Sequence, residues 1–294
     1  MRRTTLGAVI LGIMAAVWLL GATAFAQGDE MPSRLVLGMV PSREADRMVR
    51  SLDPLAQMLS ERLGRPVSAT VATSPQALIE ALRSQRVDVG IFGPFALILA
   101  EERAGAVVIL NSIRRGADHY RAQFLVRADS GIESFDDLKG KVWAVPSLTS
   151  TSGYLFPYVA LSEAGLEPTL DMTIINVVGH DAAVLAVYNG DADLATTYED
   201  ARTDVLEELP DVMEKVKVLA YTEPIPNDGV VVRRELHPDL VRQIQQALID
   251  IGNTDEGQQL LDTLYNVTGF VEADSARYDV VRRTYQLLKD QIRI

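Results

Sequence analysis

The sequence contains no cysteine among its 294 residues, and it contains only three histidines. The absence of cysteine excludes disulfides, thiolate catalysis and cysteine-based metal sites. Neither a GxSxG nor an HExxH segment occurs, so the usual motifs of serine and zinc hydrolases are missing as well. We therefore expect no metal, no cofactor and no catalysis, and we interpret the chain as a binding protein rather than an enzyme.

Positive charge is also scarce, because 28 basic residues stand against 40 acidic ones and the formal net charge is −12. Such a surface repels nucleic-acid backbones and anionic bilayers, so neither is an expected partner. A small anion remains a compatible ligand. Inside a cleft, helix dipoles and nearby hydrogen-bond donors decide whether an anion binds, and the net charge of the protein matters less.

Only one long apolar run occurs, from about Leu6 to Leu20. It follows Arg2-Arg3 and leads to Ala24-Phe25-Ala26, which is the pattern of a charged region, an apolar region and a small-residue cleavage site. We predict a secretory signal peptide over residues 1–26 and a periplasmic location for the rest of the chain. A membrane anchor is the alternative, but the run is shorter than the ~20 residues that a membrane span needs.

After residue 33, short apolar strands alternate with helical stretches, the pattern of an α/β fold with a parallel sheet. The length exceeds that of one ordinary hydrophobic core, so we expect two domains. Asp129-Ser130-Gly131 and Ile225–Asp228 interrupt the alternation and are interpreted as crossings. We predict two lobes, each a mainly parallel sheet flanked by helices. Lobe 1 comprises residues 34–127 plus 229–294, and lobe 2 comprises residues 128–228.

The segment SLTSTSGYLFP, residues 147–157, places four hydroxyl side chains in a row behind a predicted strand at Lys141–Val145. In open α/β sheets, ligands bind beyond the carboxyl ends of the strands, where a helix start offers unpaired N–H groups. Hydroxyls from Ser150, Thr151 and Ser152 would add donors for an anion without adding charge. The alternative is a plain helix cap, for which Ser and Thr are favoured in any case.

Other polar residues lie near predicted strand ends. His180 follows a strand and Gly179, Tyr198-Glu199 ends the next strand, and Arg114 and Tyr120 supply cationic and phenolic donors before another. Each of them is also compatible with a capping, packing or solvated surface role. Their shared position at strand ends is what indicates one common cleft.

With these residues in view, the chain from about Leu35 to Leu288 resembles the phosphonate/phosphite-type substrate-binding proteins of ABC transporters. That family has the type II periplasmic binding protein fold, two α/β lobes around a cleft. The segments that carry the resemblance are Asp88–Pro94, Asp136–Lys141, Ser150–Leu155, Gly179–Ala182 and Ile225–Asp228. The Ser-Thr-Ser-Gly element is specific to the family, whereas Asp-Leu-Lys-Gly-Lys is shared more widely among type II binding proteins.

The resemblance implies a small oxyanion as ligand, either a phosphonate or a related phosphorus oxyanion, and a membrane permease as partner. It also implies a monomer whose lobes close on the ligand. The implied ligand-binding residues are Tyr120, Ser150, Thr151, Ser152, His180, Tyr198 and Glu199. The chain departs from the family at Ser74-Pro75 and Leu97, where tyrosines are usual, and we interpret this as room for a larger or less polar substituent.

Three alternatives stay open from the sequence. A sensory ligand-binding protein would deliver the same ligand to a membrane histidine kinase. An exported enzyme on the same fold would turn over a phosphorus ester or a phosphonate. A two-lobed protein with an unrelated ligand would bind a carboxylate at the same helix start.

Overall fold

The structure is a computed structural model that describes residues 28–40, 45–114, 116–273 and 275–289. The predicted signal peptide, residues 1–26, lies outside the described residues. No helix in the described part of the chain is long and apolar enough to cross a membrane.

Strands and helices alternate as the sequence predicts. The strands are β1 (Leu35–Met39), β2 (Val67–Val71), β3 (Val89–Phe92), β4 (Val107–Arg114), β5 (His119–Tyr120), β6 (Ala122–Arg127), β7 (Val142–Val145), β8 (Thr173–Asn176), β9 (Leu194–Tyr198), β10 (Val216–Tyr221), β11 (Ile225–Pro226), β12 (Gly229–Val232) and β13 (Val267–Glu272). The helices are α1 (Ala45–Leu63), α2 (Pro75–Arg83), α3 (Pro94–Ala104), α4 (Phe156–Glu163), α5 (Pro168–Asp171), α6 (His180–Asn189), α7 (Val212–Lys215), α8 (Pro238–Gly252), α9 (Asp255–Tyr265) and α10 (Asp279–Leu288). A π-helical turn, Thr151–Leu155, leads directly into α4.

Two sheets form the centres of two lobes, so the predicted two-lobed α/β fold is confirmed. The first sheet has six strands in the order β13-β4-β12-β3-β1-β2, and the second has five in the order β10-β6-β9-β7-β8. β1 pairs parallel with β2 and β3, and β7 pairs parallel with β8 and β9. Each sheet is mixed rather than mainly parallel, because the strands that enter or leave a lobe, β4, β6, β10 and β12, pair antiparallel.

The chain crosses between the sheets twice, through β5 and through β11, and these two short strands pair with each other. Asn227 follows β11 and is buried. Its side-chain amide donates to the Ser112 carbonyl at 3.1 Å and to the Ala117 carbonyl at 2.8 Å. The Tyr278 hydroxyl donates to the Asn227 carbonyl at 3.1 Å. Hydrogen bonds of the Asn227 side-chain nitrogen and of its backbone carbonyl therefore help to hold the crossings together.

One detail differs from the sequence prediction. The predicted first lobe includes the strand Ala122–Arg127, but this strand pairs with β9 and β10 in the second sheet, so the crossing precedes it. The tail beyond Pro238 contains β13, which pairs with β4 at the edge of the first sheet. Helix α1 begins at Ala45 and contains Pro54. The exact division into lobes remains a proposal.

A buried ion cluster stabilises the first lobe. The Arg233 side chain is 4% exposed, and its Nε lies 2.7 Å from Asp88 Oδ1 while its Nη2 lies 2.7 Å from Glu30 Oε2. Asp88 Oδ2 also accepts the Val36 N–H at 2.8 Å. Arg233 is therefore the charge partner of the Asp88 carboxylate. Through its other oxygen, Asp88 also connects β1 to the chain that enters β3.

Replacing Arg233 by leucine should lower the free energy of unfolding by about 3–5 kcal/mol, because it leaves Asp88 buried without a counter-ion. Urea unfolding of wild type and Arg233→Leu measures this difference. Arg234→Leu is the matched control, since Arg234 is the exposed neighbour. Equal losses in the two variants would contradict a specific role for the buried cluster.

Candidate functional site

A cavity of about 320 Å³ lies between the two lobes, where the carboxyl ends of the parallel strands of both sheets meet. Its size falls in the range of small-molecule pockets, about 300–1,000 Å³. Polar residues of its wall, among those the structure describes, are Thr73, Ser74, Gln76, Arg114, Tyr120, Ser147, Thr149, Ser150, Thr151, Ser152, Asn176, His180, Tyr198 and Asp228. Six of the seven predicted ligand-binding residues are therefore brought together in one wall.

The hydroxyl-rich segment begins the helical turn that leads into α4, and each of its hydroxyls is anchored by the protein. Ser150 is the N-cap, and its Oγ accepts the Gly153 N–H at 2.9 Å. Thr151 Oγ1 accepts the Phe95 N–H at 2.8 Å. A hydroxyl that already accepts a bond from the protein presents its own O–H for donation. Thr149 differs, because its Oγ1 contacts Ser147 Oγ at 3.0 Å.

The contact between Thr151 and Phe95 joins the two lobes. Phe95 lies in the first turn of α3, whose N-cap is Gly93 and therefore offers no capping side chain. The first N–H groups of a helix have no partner within the helix and need one from elsewhere. Thr151 of the second lobe supplies that partner for Phe95, so the start of α3 and the hydroxyl segment form one wall of the cavity.

Tyr120 in β5 reaches the same place from the crossing. It is buried, and its hydroxyl is hydrogen-bonded with Ser152 and Thr151. Burial, and then the negative charge of Asp228, raise the pKa of Tyr120 above its ordinary value, while the two hydrogen bonds and the charge of Arg114 oppose the rise. The phenol therefore stays protonated at neutral pH and is a neutral donor or acceptor in the site.

A chain of hydrogen bonds positions the hydroxyl segment on the second sheet. The buried Trp143 in β7 donates from Nε1 to Thr196 Oγ1 at 2.8 Å, and the Thr196 hydroxyl donates to the Gly153 carbonyl at 2.6 Å. Gly153 is required here, since a Cβ at this position would overlap the ring of Pro146 and lie 2.8 Å from Ser150 Oγ. The turn can therefore approach the strand only because residue 153 has no side chain.

His180 and Tyr198 form the opposite part of the wall. His180 is the first residue of α6, and the preceding Gly179 has φ 96°, a conformation that favours glycine. The two rings lie 4.8 Å apart at their centroids. The Tyr198 hydroxyl donates to Asp204, so Tyr198 faces the cavity with its ring while its hydroxyl is engaged away from it.

Glu199 is the predicted site residue that the described cavity wall does not include. Successive side chains of a strand point to opposite faces, so the residue after Tyr198 is directed away from the side that Tyr198 occupies. Of the two departures from the family pattern, Pro75 lines the cavity, whereas Leu97 is fully buried in the core and is not part of the wall.

Two charged residues of the wall, Arg114 and Asp228, were missing from the predicted site. Arg114 ends β4, and Asp228 precedes β12, whose pairing Gly229↔Phe92 places it beside Gly93. The sequence places Asp228 only in a predicted crossing, because the antiparallel pairing of β12 with the end of β3 is a tertiary feature. Burial raises the pKa of the Asp228 carboxyl, and the charge of Arg114 opposes this rise.

Comparison with known proteins identifies the family. Residues 37–278 match the family of the ABC transporter, phosphonate, periplasmic substrate-binding protein. The chain belongs to this family. Its members are periplasmic solute-binding proteins of ABC transporters and not enzymes. These comparisons give no support to delivery of a ligand to a histidine kinase.

Individual relatives agree with the assignment. The chain is 26% identical over 274 residues to the phosphate-import protein PhnD of Mycolicibacterium smegmatis, covering 86% of this chain and 85% of that one. It is 25% identical over 245 residues to the phosphonates-binding periplasmic protein of Escherichia coli, covering 81% of this chain and 72% of the relative. PhnD1 of Prochlorococcus marinus in complex with methylphosphonate has the same fold, with TM-score 0.78, 19% identity, and 88% and 99% of the two chains covered.

The charge of Asp228 makes a testable contribution to stability. Because its pKa in the folded protein is raised above the ordinary value of 3.8, stability is lost as the pH rises from 3.8, and the loss is complete above the raised pKa. Asp228→Asn should therefore increase the free energy of unfolding at pH 8, and the gain should shrink as the pH is lowered towards 3.8. Urea unfolding between pH 8 and about pH 4 measures it.

Asp118→Asn is the contrasting control. Hydrogen bonds from His119 and Arg277 lower the pKa of the Asp118 carboxyl, so its removal should reduce stability at neutral pH. A loss of stability in Asp228→Asn at every pH would show that the carboxylate makes a net favourable contact and would overturn the assignment.

Proposed function

We propose that the chain captures a phosphonate or a related phosphorus oxyanion in the cavity between its lobes and passes it to the membrane permease of an ABC transporter. The ligand would lie against Ser150, Thr151, Ser152, Tyr120 and His180, with the ring of Tyr198 as part of the wall. The protein would act as a monomer without nucleic acid as a partner. Its periplasmic location follows from the family, whereas the signal peptide at residues 1–26 stays a prediction.

The observation that carries the proposal is the anchoring of consecutive hydroxyls at one helix start. Ser150 accepts from Gly153 and Thr151 accepts from Phe95, while the Tyr120 hydroxyl is bonded with Ser152 and Thr151, so a cluster of fixed hydroxyls is available to an anion at this helix start. Hydrogen bonds from such neutral donors to a charged oxygen contribute about 1.5–3 kcal/mol each. They also place no requirement on the protonation state of the ligand.

A tetrahedral oxyanion suits this arrangement better than a planar carboxylate. Its oxygens project in three dimensions, as do donors that come from both lobes and from the crossing. The names of two relatives include phosphate and phosphonates, which supports the same ligand class. The same geometry supports closure of the lobes. Phe95 and Thr151 are in contact only when the lobes are together. A ligand that touches both lobes favours this closed state.

Thermal unfolding of the purified protein with a panel of anions tests the ligand class. The panel contains phosphate, phosphite, methylphosphonate, 2-aminoethylphosphonate, sulfate and acetate. A ligand at 100 times its dissociation constant should stabilise the folded protein by about 2.7 kcal/mol. We expect at least one phosphorus oxyanion to raise the melting temperature. A rise in melting temperature with acetate alone would contradict the proposal, and so would the absence of a rise with every phosphorus compound.

The double variant Ser150→Ala/Ser152→Ala tests the site. Because two donors to a charged ligand are removed, the affinity for that phosphorus oxyanion should fall by about 100-fold or more. Titration calorimetry on the purified variant measures the loss. Ser162→Ala, at the other end of α4, is the matched control and should bind as the wild type does. Unchanged affinity in the double variant would show that the hydroxyl cluster acts only as a helix cap and does not bind the ligand.

A further inference from the structure

Arg114 gives the cavity a positive charge that the hydroxyl site does not use. Its guanidinium carbon lies 5.6 Å from the ring centroid of Tyr120 and 5.1 Å from that of Tyr198. Two aromatic faces, one from the crossing and one from β9, therefore hold the guanidinium in the wall. An arginine packed in this way is pre-organised, and less entropy is lost when it binds an anion.

Within the described part of the chain, the Arg114 guanidinium has contacts with aromatic rings but no hydrogen-bond acceptor. Among the residues that the structure describes, no side chain or carbonyl accepts a hydrogen bond from the Arg114 guanidinium, and no carboxylate lies within 4.0 Å of it. Asp228 lines the same cavity and interacts with Arg114 through its charge, yet the two do not form an ion pair. Five N–H donors in a planar fork thus face a polar cavity.

The oxyanion has its own donors elsewhere in the wall. Ser150, Thr151, Ser152 and Tyr120 already surround one position at the start of the helical turn. The Arg114 guanidinium lies over the face of the Tyr120 ring, whereas the hydroxyl at the end of that ring contacts Ser152 and Thr151. A cationic group therefore lies beside the neutral hydroxyls.

We infer that Arg114 is a specificity-determining residue that binds a second anionic group, carried on the organic substituent of the ligand. The ligand class is then a phosphonate with an acidic substituent, such as a carboxyalkylphosphonate. A carboxylate matches the guanidinium fork with two parallel hydrogen bonds, and such charge-assisted pairs are stronger than neutral ones. This inference rests on the proposed function, because it takes the phosphorus group to occupy the hydroxyl site.

The test compares two probes that differ in one carboxylate, phosphonoacetate and methylphosphonate. Titration calorimetry gives the affinity of each for wild type, Arg114→Gln and Arg121→Gln. Arg121 is an exposed arginine close in sequence, so its variant changes the net charge by the same amount. The wild type should prefer phosphonoacetate by about tenfold or more, which corresponds to one good charge-assisted contact.

Arg114→Gln should abolish that preference, so that the two probes bind with affinities within about threefold of each other, and Arg121→Gln should keep the preference. Equal weakening of both probes would place Arg114 at the phosphorus group and overturn the inference, while leaving the proposed function intact. A wild type that binds methylphosphonate as well as phosphonoacetate would overturn it in the same way. Failure of the wild type to bind any phosphorus compound would overturn both.

A melting curve of each variant separates recognition from folding. If Arg114 only compensates the charge of Asp228, Arg114→Gln should melt at a lower temperature and keep the ratio of the two affinities. That result would count against the inference, because a ligand contact must change the ratio.

Discussion

The uncapped start of helix α3 is the constraint on which the site depends. Gly93 at the N-cap has no side chain to satisfy the first amides of the helix, and the Phe95 N–H finds its acceptor in Thr151 of the other lobe. A buried amide without a partner is costly, so the two lobes have a reason to meet at this point. The same contact orients the Thr151 hydroxyl, so in the proposed function lobe closure and ligand recognition share one hydrogen bond.

The rest of the second lobe supports that meeting point. Trp143 and Thr196 tie the carbonyl of Gly153 to two strands of the sheet, so the hydroxyl segment is held by rigid elements rather than by a mobile loop. Chains of hydrogen bonds of this kind strengthen one another in a low-dielectric interior. The turn is therefore positioned before any ligand arrives, which reduces the entropy that binding costs.

The electrostatics of the cavity explain how an acidic protein can bind an anion. The net charge of −12 belongs to the whole chain, whereas the described residues of the wall combine neutral hydroxyls with Arg114. Asp228 is the exception, and its burial raises the pKa of the carboxyl. Donors in the wall act over short distances and are not screened as surface charges are, so the local arrangement decides the ligand.

The fold class, and six of the seven residues predicted for the candidate site that line the cavity, follow from local patterns in the sequence. The periodic patterns of strands and helices depend on residues close in sequence. The Ser150-Thr151-Ser152-Gly153 run lies at one helix start, so it can be recognised in the same way. Membership of β6 and β13 in their sheets could not be predicted, because pairing partners lie far apart in the chain. Arg114 and Asp228 became part of the cavity wall, and Glu199 did not, for the same reason. Arg114 and Asp228 reach the same cavity only because β12 pairs antiparallel with β3 and because the two lobes meet. The direction of a side chain at the end of a strand depends on the neighbouring strands, which are distant in the sequence.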